Sequence, residues 1–480
     1  MKNIFTCSIF LMLCNIPAFS QWSTDSLINV CANDAVSTKG FKTMFVNYGS
    51  WELYDVNTFN STTGLISLGR NAIKVASVNN IAYFGGGQYG PFTDPVYTKN
   101  VDVYNFNTNT WTLNKLSKAR EVGAAASIGN KILFAGGRDA INMYNTVDIF
   151  NANTGVRTTA KLSKARTDIA VAVNGSKVVF AGGWFFDFSF NRPASNAVDI
   201  YDAATGTWSQ ATLSQKRQGI SVASVGNKIV FAGGVPNSGG TNAVDIYDVS
   251  TNTWSTAALS AQRNGMTVNV VGNKAYFASG VGASDKVDVY DATTNTWSVL
   301  TMPLNLVSAA GAVINGQLFY AGGYDPVTYA VSNAVQVYDI ANNSWTVGTI
   351  SQARAGSNVV TIGNVTLFAG GFTKVTYPAT GSTRIDIYTA AMNIIAKANN
   401  FDFKIFPNPV VNEVSFSVTT KTTKLPLLIR LYNDNGNLVA TYKITNKDAV
   451  LRLGNIPQGK YILSAQDASG NTVSKILFKQ

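Results

Sequence analysis

The sequence predicts an all-β fold in which one four-stranded unit is repeated, and three observations support this prediction. A motif of the form "LSKAREVGAAASIGNKILFAGG" recurs in residues 116–137, 162–183, 213–234 and 350–371. Within the repeats an arginine precedes the first glycine of the pair by 16 positions, as in Arg120 and Gly136. Further along, a tyrosine precedes a tryptophan by seven positions, as in Tyr104 and Trp111. Self-similarity at a period of roughly 40 to 50 residues is typical of repeat architectures.

Each repeat contains four runs that are typical of short strands. The runs "AAASI" and "KILFA" (residues 124–128 and 131–135) are joined by Gly-Asn, which is a strong two-residue hairpin signal. The run "VDIY" alternates between faces, and "TNTW" then turns the chain into a fourth strand. Four-stranded units in series favour radial blades around a central channel, so the sequence predicts a β-propeller.

The same intervals expose an eroded unit in about residues 31–68. Cys31 and Asn47 are again 16 positions apart, and Tyr54 lies seven positions before Ser61. Eight blades are therefore favoured, and seven are possible if this unit is an N-terminal cap.

The last repeat lacks a fourth strand in its own segment. It begins at Arg354 and has no tryptophan seven positions after Tyr388. An unpaired edge in a closed propeller is costly, and a strand from the other terminus removes it. Residues 22–27 are therefore predicted to pair with residues 384–388.

These features together resemble the kelch repeat signature: the double glycine after an apolar strand, the spaced tyrosine and tryptophan, and the arginine before the first strand. The resemblance covers roughly residues 22–397. It implies a kelch-type β-propeller, here closed by an N-terminal strand. Kelch propellers include enzymes, protein-binding adaptors and structural proteins, so the resemblance is more specific for fold than for function.

A different composition follows the repeats. Residues 391–400 are predicted to be a linker, and residues 401–480 contain strand-like runs with Asn-Gly and Gly-Asn turns, which favour a small β-sandwich. The Pro-Asn-Pro opening, "LYNDNGNLV", "IPQGKYIL" and the closing lysine-flanked strand resemble the type A C-terminal sorting domain of the type IX (Por) secretion system. A generic adhesion sandwich is the alternative. The resemblance implies that residues 401–480 engage the type IX secretion machinery, and that the protein crosses the periplasm to be released or held on the outer-membrane surface.

Residues 1–20 have the order of a secretory signal peptide. Lys2 is followed by an apolar block from Ile4 to Leu13 and by a small residue before Gln21. The block is too short to span a membrane. The predicted mature protein therefore has no integral membrane segment, its propeller occupies residues 21–390, and its single cysteine, Cys31, can form no internal disulfide.

The composition excludes several kinds of chemistry. The chain has no histidine, which removes imidazole bases, histidine-dependent nucleophiles and the commonest zinc and copper ligand. The net charge of +11 is distributed without a basic run, so nucleic acid is not a predicted partner. No catalytic residue, metal site or cofactor is predicted.

The candidate ligand site follows from propeller topology. The connections between blades and the loops between second and third strands emerge on one face, so six arginines are predicted to ring one mouth of the channel: Arg70, Arg120, Arg166, Arg217, Arg263 and Arg354. A guanidinium fork suits carboxylates. The kelch resemblance implies that arginines at this place contact acidic peptides. Alternatively, the arginines pair with neighbouring carbonyls or aspartates, because an aspartate recurs two positions before the third-strand aromatic, as in Asp199 and Tyr201.

One loop on the same face is unusually apolar. The stretch "WFFDFSFNRP" (residues 184–193) lies in the longest variable interval, and its candidate ligand-binding residues are Trp184, Phe186 and Phe188. These aromatics could stack on sugar rings or clamp a protein partner. The structural alternative is that the loop folds inward to plug the channel or covers the next blade.

The sequence therefore favours a secreted or cell-surface kelch propeller that binds a glycan or peptide ligand at its arginine- and aromatic-rich loop face. The alternative is a carbohydrate-active enzyme such as a sialic acid mutarotase, which needs only arginine and acid groups. A carboxylate that converges with two or three of the arginines would favour the enzyme. Kelch-type copper-radical oxidases use histidine ligands, which this chain lacks.

Overall fold

The computed structural model describes residues 21–28, 35–39, 42–56, 58, 60–91, 93–187, 191–237, 239–362, 365–390, 403–418, 425–433, 438–467 and 472–480. These residues belong to two compact units, 21–390 and 403–480, and they contain strands and no helix. The predicted signal peptide (1–20), the predicted linker (391–400), Cys31 and Phe188 lie outside the described residues.

The first unit contains eight antiparallel four-stranded sheets, called blades 1 to 8 in chain order, with the first strand of each innermost. The strands of blades 1 to 4 are Ala35–Lys39, Lys42–Asn47, Ser50–Asp55 and Asn60–Leu65; Lys74–Val78, Ile81–Gly85, Asn100–Asn105 and Thr110–Lys115; Ala124–Ile128, Lys131–Ala135, Thr146–Asn151 and Arg157–Lys161; and Ala170–Asn174, Lys177–Ala181, Ala197–Asp202 and Thr207–Thr212.

Blades 5 to 8 repeat the same order. Their strands are Ser221–Val225, Lys228–Ala232, Thr241–Asp248 and Thr253–Arg263; Thr267–Val271, Lys274–Ala278, Lys286–Asp291 and Thr296–Thr301; Ala310–Ile314, Gln317–Ala321, Ala334–Asp339 and Ser344–Thr349; and Asn358–Ile362, Val365–Ala369, Arg384–Thr389 and, from the N-terminus, Gln21–Ser26. Two short pairs, Gln88–Tyr89 with Val96–Tyr97 and Phe372–Lys374 with Thr380–Gly381, extend the loops of blades 2 and 8.

Blade 8 is completed by the N-terminal strand, as the sequence predicts. Gln21–Ser26 pairs antiparallel with Arg384–Thr389, and Trp22 stands opposite Tyr388. The ring centroids of Trp22 and Tyr388 are 5.0 Å apart, close to the 4.9 Å between Tyr104 and Trp111 in blade 2. The borrowed tryptophan therefore occupies the place that a local tryptophan holds in other blades.

The ring is closed by eight separate hydrophobic clusters, one at each interface between neighbouring blades. The cluster between blades 8 and 1 includes Phe45 and Tyr54 from the eroded first blade and Leu367 and Ile387 from the last. This contact confirms the prediction of eight blades, because the eroded unit is packed on both sides as a full member of the ring.

In blades 2, 3, 4, 5 and 7, a glycine pair after the second strand joins the blade to the next. In blade 3, Gly136 has a φ of 61°, and a Cβ there would lie 2.5 Å from the carbonyl oxygen of Arg166. The backbone N–H of Gly137 donates to that same carbonyl at 2.9 Å. Only glycine allows both the left-handed conformation and this close approach without strain.

The second unit is a small β-sandwich. Its three-stranded sheet contains Phe403–Phe406, Glu413–Val418 and Asp448–Arg452, and its four-stranded sheet contains Leu427–Asn433, Leu438–Ile444, Gly459–Gln466 and Thr472–Lys479. Both sheets contribute to one apolar core, in which Phe403 stacks on Phe416 with 4.5 Å between ring centroids.

Candidate functional site

The six repeated arginines lie in the interiors of the blades. Each of their side chains is fully buried, with no exposed fraction. Arg166 is representative: its guanidinium donates to the carbonyls of Lys164, Phe180 and Gly182 at 3.0–3.1 Å. The donor fork is thus occupied by backbone of the same blade.

Each arginine also forms an ion pair with the recurrent aspartate of its own third strand. The pairs are Arg70–Asp102 (2.7 Å), Arg120–Asp148 (2.9 Å), Arg166–Asp199 (2.8 Å), Arg217–Asp245 (2.6 Å), Arg354–Asp386 (2.6 Å) and Arg263–Asp288. The second carboxylate oxygen accepts a backbone N–H three residues before the arginine, as from Ser163 to Asp199 at 2.7 Å. The aspartate therefore fixes the connection between two blades to the third strand.

Burial dominates the electrostatics of these pairs. It lowers the pKa of Arg120, Arg166, Arg217, Arg263 and Arg354, and the paired aspartate opposes that change. Arginine remains charged even so, because its ordinary pKa lies far above neutral pH.

The structure therefore shows the second alternative for the arginines, in which they pair with carbonyls and aspartates. They do not present their forks at the channel mouth, so they offer no donor to a ligand there. Among the described residues, each of these aspartates pairs with one of the six arginines, so the convergent arrangement that would have favoured an enzyme is not formed by this set.

The mouth face is defined by a ring of backbone bridges, one in each of seven blades. Each bridge joins the residue that follows the arginine position to the residue that follows the glycine-pair position of the same blade. The bridged pairs are Asn71–Gln88, Glu121–Arg138, Thr167–Trp184, Gln218–Val235, Asn264–Val281, Val307–Tyr324 and Ala355–Phe372. The backbone is therefore repeated at these places while the side chains differ. Any ligand specificity must come from that difference.

The aromatic loop of blade 4 starts on this ring. The backbone of Trp184 bridges Thr167 on one side and Ala194 on the other. Beyond it, the carboxylate of Asp187 accepts hydrogen bonds from the backbone and side-chain nitrogens of Asn191 at 2.9 and 2.8 Å. Trp184, Phe185 and Phe186 are each only partly buried. Aromatic surface of this loop is thus held at the mouth face.

Cations flank the aromatic rings of this loop. The guanidinium carbon of Arg192 lies 5.0 Å from the ring centroid of Trp184, and that of Arg138, from the loop of blade 3, lies 5.9 Å away. Phe186 packs edge-on against Trp184 at 5.4 Å. These distances are within the range of cation–π attraction.

A third cation contacts the neighbouring phenylalanine. Lys164 precedes blade 4, and its ammonium lies 3.4 Å from the ring centroid of Phe185. Burial, together with the nearby charges of Lys216 and Arg166, lowers the pKa of Lys164. We call the set Arg138, Lys164, Trp184, Phe185, Phe186 and Arg192 the basic aromatic face.

The acidic groups around this face are held by internal contacts. Glu121 pairs with Arg138 at 2.9 Å. Asp139 accepts from the hydroxyl of Tyr144 at 2.5 Å and from the backbone of Asn142 at 2.7 Å. Burial raises the pKa of Asp139, but these hydrogen bonds outweigh it and lower the pKa overall. Asp139 thus remains ionised and shapes its own loop.

Two of the three aromatic residues singled out in the sequence belong to this face, Trp184 and Phe186, and the third, Phe188, lies outside the described residues. The sequence interpretation missed Arg138, Arg192 and Lys164. Arg138 could have been found from its position directly after a glycine pair, where most other repeats have an uncharged residue.

The described part of the chain contains no helix that is long and apolar enough to cross a bilayer. Within the same residues no group of three or more acidic or cysteine side chains is placed to hold a metal ion.

Comparison with known proteins supports the two units separately. Residues 170–371 match the model of the KLHDC2/KLHL20/DRC7 Kelch-repeats domain, and residues 404–479 match that of the secretion system C-terminal sorting domain. A search of curated proteins found no match. A solved structure described as "Structure of YjhT" is 16% identical, covers 57% of this chain and 96% of its own, and has a TM-score of 0.39.

The eight-bladed ring and the matched repeats define a kelch-type β-propeller. The chain combines this kelch-repeat propeller with a type IX sorting domain, which indicates export to the cell surface or secretion.

Proposed function

We propose that the propeller is a ligand-binding module that acts outside the cell, and that the basic aromatic face is its binding surface. The observation that carries the proposal is the break in symmetry at Trp184. Seven blades have the same backbone bridge at the mouth face, and among the described residues only blade 4 has a tryptophan there that is flanked by two guanidinium groups.

The arrangement of the loop supports a binding role. Asn191 donates two hydrogen bonds to Asp187, and the backbone of Trp184 is anchored by bridges to Thr167 and Ala194. A preformed surface loses little conformational entropy on binding, which favours affinity. Partly exposed aromatic rings and a solvent-exposed arginine, Arg192, are typical of binding surfaces.

The experiment is a binding screen with the protein that lacks the predicted signal peptide, against arrays of glycans and of peptides. Trp184→Ala should abolish or strongly reduce binding, because it removes the ring that contacts Arg138 and Arg192. Tyr377→Ala is the matched control, since Tyr377 is 97% exposed in the blade 8 loop on the same face. Equal binding by both variants would contradict the proposal.

A further inference from the structure

We propose that the basic aromatic face binds an acidic polysaccharide, one that carries carboxylate or sulfate groups along a chain of sugar rings. This inference rests on the proposed function and specifies its ligand class.

A group of cations without acidic partners favours an anionic ligand. Among the described residues, no carboxylate lies within ion-pair distance of Lys164, Arg192 or Lys216, and all three are solvent-exposed. The neighbouring acids are engaged instead with their own surroundings: Glu121 with Arg138, Asp139 with its own loop, Asp187 with Asn191, and Asp168 with the backbone N–H of Gly219. Three cations therefore remain available to an anionic ligand at one side of the mouth face.

Arg192 is held in a way that suits a carboxylate or sulfate group. A guanidinium that lies over an indole keeps its N–H edge available for such a group, while its apolar face is covered. The guanidinium carbon of Arg192 lies 5.0 Å from the ring centroid of Trp184, so this ring orients the guanidinium, whereas Arg138, 5.9 Å away, is already paired with Glu121. Trp184 is thus a positioning residue for charge as well as a contact surface.

The surface extends over three blades, which suits a chain rather than a single sugar. Lys216 lies in the connection to blade 5, Lys164 and Phe185 belong to blade 4, and Arg138 belongs to blade 3. Lys216 adjoins the basic aromatic face at Lys164, whose pKa its charge lowers. An extended chain of charged sugar rings matches this surface, because the apolar faces of the sugars can lie on aromatic rings between the anionic groups.

Nucleic acid fits the same charges less well. Proteins that bind a duplex commonly make about six to ten phosphate contacts, and the duplex has a charge about every 1.7 Å. Only three cations here are without an acidic partner among the described residues. The anionic groups of a polysaccharide are separated by whole sugar rings, which suits a sparse row of cations.

The test measures binding of polygalacturonate and chondroitin sulfate by calorimetry, with dextran, poly-glutamate and duplex DNA as comparison polymers. We expect the acidic polysaccharides to bind most tightly, and their affinity to fall as ionic strength rises. Lys164→Gln, Arg192→Gln and Lys216→Gln should each weaken binding by up to about tenfold, because each removes one charge-assisted hydrogen bond. Lys374→Gln, an exposed lysine in the blade 8 loop, should have no effect.

The outcomes separate the two proposals. Binding of dextran that depends on Trp184 but not on salt or on the three cations would overturn the acidic ligand and leave the binding function in place. Equal or tighter binding of poly-glutamate or DNA would overturn the polysaccharide class, and so would failure of both acidic polysaccharides to bind. Loss of acidic polysaccharide binding in the cation variants, with Lys374→Gln unchanged, would support the inference.

Discussion

Blades 7 and 8 are neighbours that differ in the buried pair of each blade. Blade 8 has Arg354 and Asp386 at 2.6 Å, both buried, whereas blade 7 has Leu306 and Gln336 at the equivalent positions. Gln336 still accepts the backbone N–H of Leu304 at 2.7 Å, as Asp386 accepts that of Ser351 at 2.8 Å. The blade therefore keeps the hydrogen bond to its connection and loses both charges together.

The joint replacement in blade 7 indicates that the arginine and aspartate act there as one structural unit, whereas blade 1 keeps a buried acid, Glu52, although Cys31 stands at the arginine position. A buried charge without its partner is strongly destabilising, whereas a neutral pair of suitable shape is tolerated. Where the pair is present, it stabilises the interior of its own blade. Blade 7 is nevertheless complete without it. The arginines are therefore poor markers of ligand binding, even though they are the most regular charged residues of the repeat.

The mouth face differs from the buried pairs, because its side chains vary from blade to blade. Trp184 in blade 4 and Tyr324 in blade 7 occupy equivalent backbone bridges, to Thr167 and Val307. Trp184 is flanked by arginines, whereas Tyr324 stacks on Tyr329 with 6.1 Å between ring centroids. The same backbone arrangement thus carries different side chains in different blades. These variable side chains are the better candidates for ligand binding.

The largest expected effect comes from breaking one buried pair. Asp386→Asn leaves Arg354 charged and fully buried, so the free energy of unfolding should fall by about 3–5 kcal/mol. Chemical denaturation followed by tryptophan fluorescence measures this loss. A loss below about 1 kcal/mol would show that water or another group compensates the arginine, and that the aspartate is not its essential partner.

A smaller loss is expected from the borrowed strand. Trp22→Ala removes a half-buried ring that packs on Tyr388 and Phe368, and should cost about 2–3 kcal/mol. Trp345→Ala, which removes the local tryptophan of blade 7, should cost about the same. Thr24→Ala, an exposed residue of the same strand, serves as the control. An unchanged denaturation midpoint for Trp22→Ala would mean that the strand contributes nothing to closure.

The third prediction removes both buried charges from blade 8, so that it resembles blade 7 in having a neutral pair. Arg354→Leu combined with Asp386→Asn removes both charges, and the remaining cost is the loss of hydrogen bonds such as that to Phe368, about 1–2 kcal/mol. The double variant should therefore be more stable than Asp386→Asn alone. If it were less stable than the single variant, the pair would not behave as one unit.

The smallest effect is a pH dependence at the basic aromatic face. The pKa of Lys164 is lowered by burial and by Lys216 and Arg166, so its positive charge is lost earlier than that of an ordinary lysine as pH rises. Affinity for an acidic polysaccharide should accordingly begin to fall below the usual lysine range. Lys164→Arg keeps its charge over this range and should remove the early decline in a calorimetric pH series. The same decline in Lys164→Arg would assign the effect to another group.

The sequence predicted the fold in detail because the fixed spacing between repeated residues indicates which strands pair. A tyrosine and a tryptophan seven positions apart stand opposite each other across a hairpin, as Tyr201 and Trp208 do. The same interval rule located the N-terminal strand opposite Tyr388. Regular spacing therefore determines topology even when the chain closes on itself.

The candidate site was less predictable from the sequence, because the residues that repeat are structural and the residues of the proposed site do not repeat. The arginines were prominent in the sequence because they repeat, and they repeat because every blade that has them uses the same internal contact. Arg192 and Lys164 lie outside that regular set, and their proximity to aromatic rings depends on how two loops fold. Sequence spacing carries no information on that arrangement.

The most direct test of this account measures binding of one acidic polysaccharide to two variants under identical conditions. Arg354→Leu with Asp386→Asn removes one of the repeated buried pairs, whereas Arg192→Gln removes one exposed cation of the basic aromatic face. We predict that the first variant binds as the unaltered protein does and that the second binds up to about tenfold more weakly. Weakened binding by the first variant together with unchanged binding by the second would contradict the account.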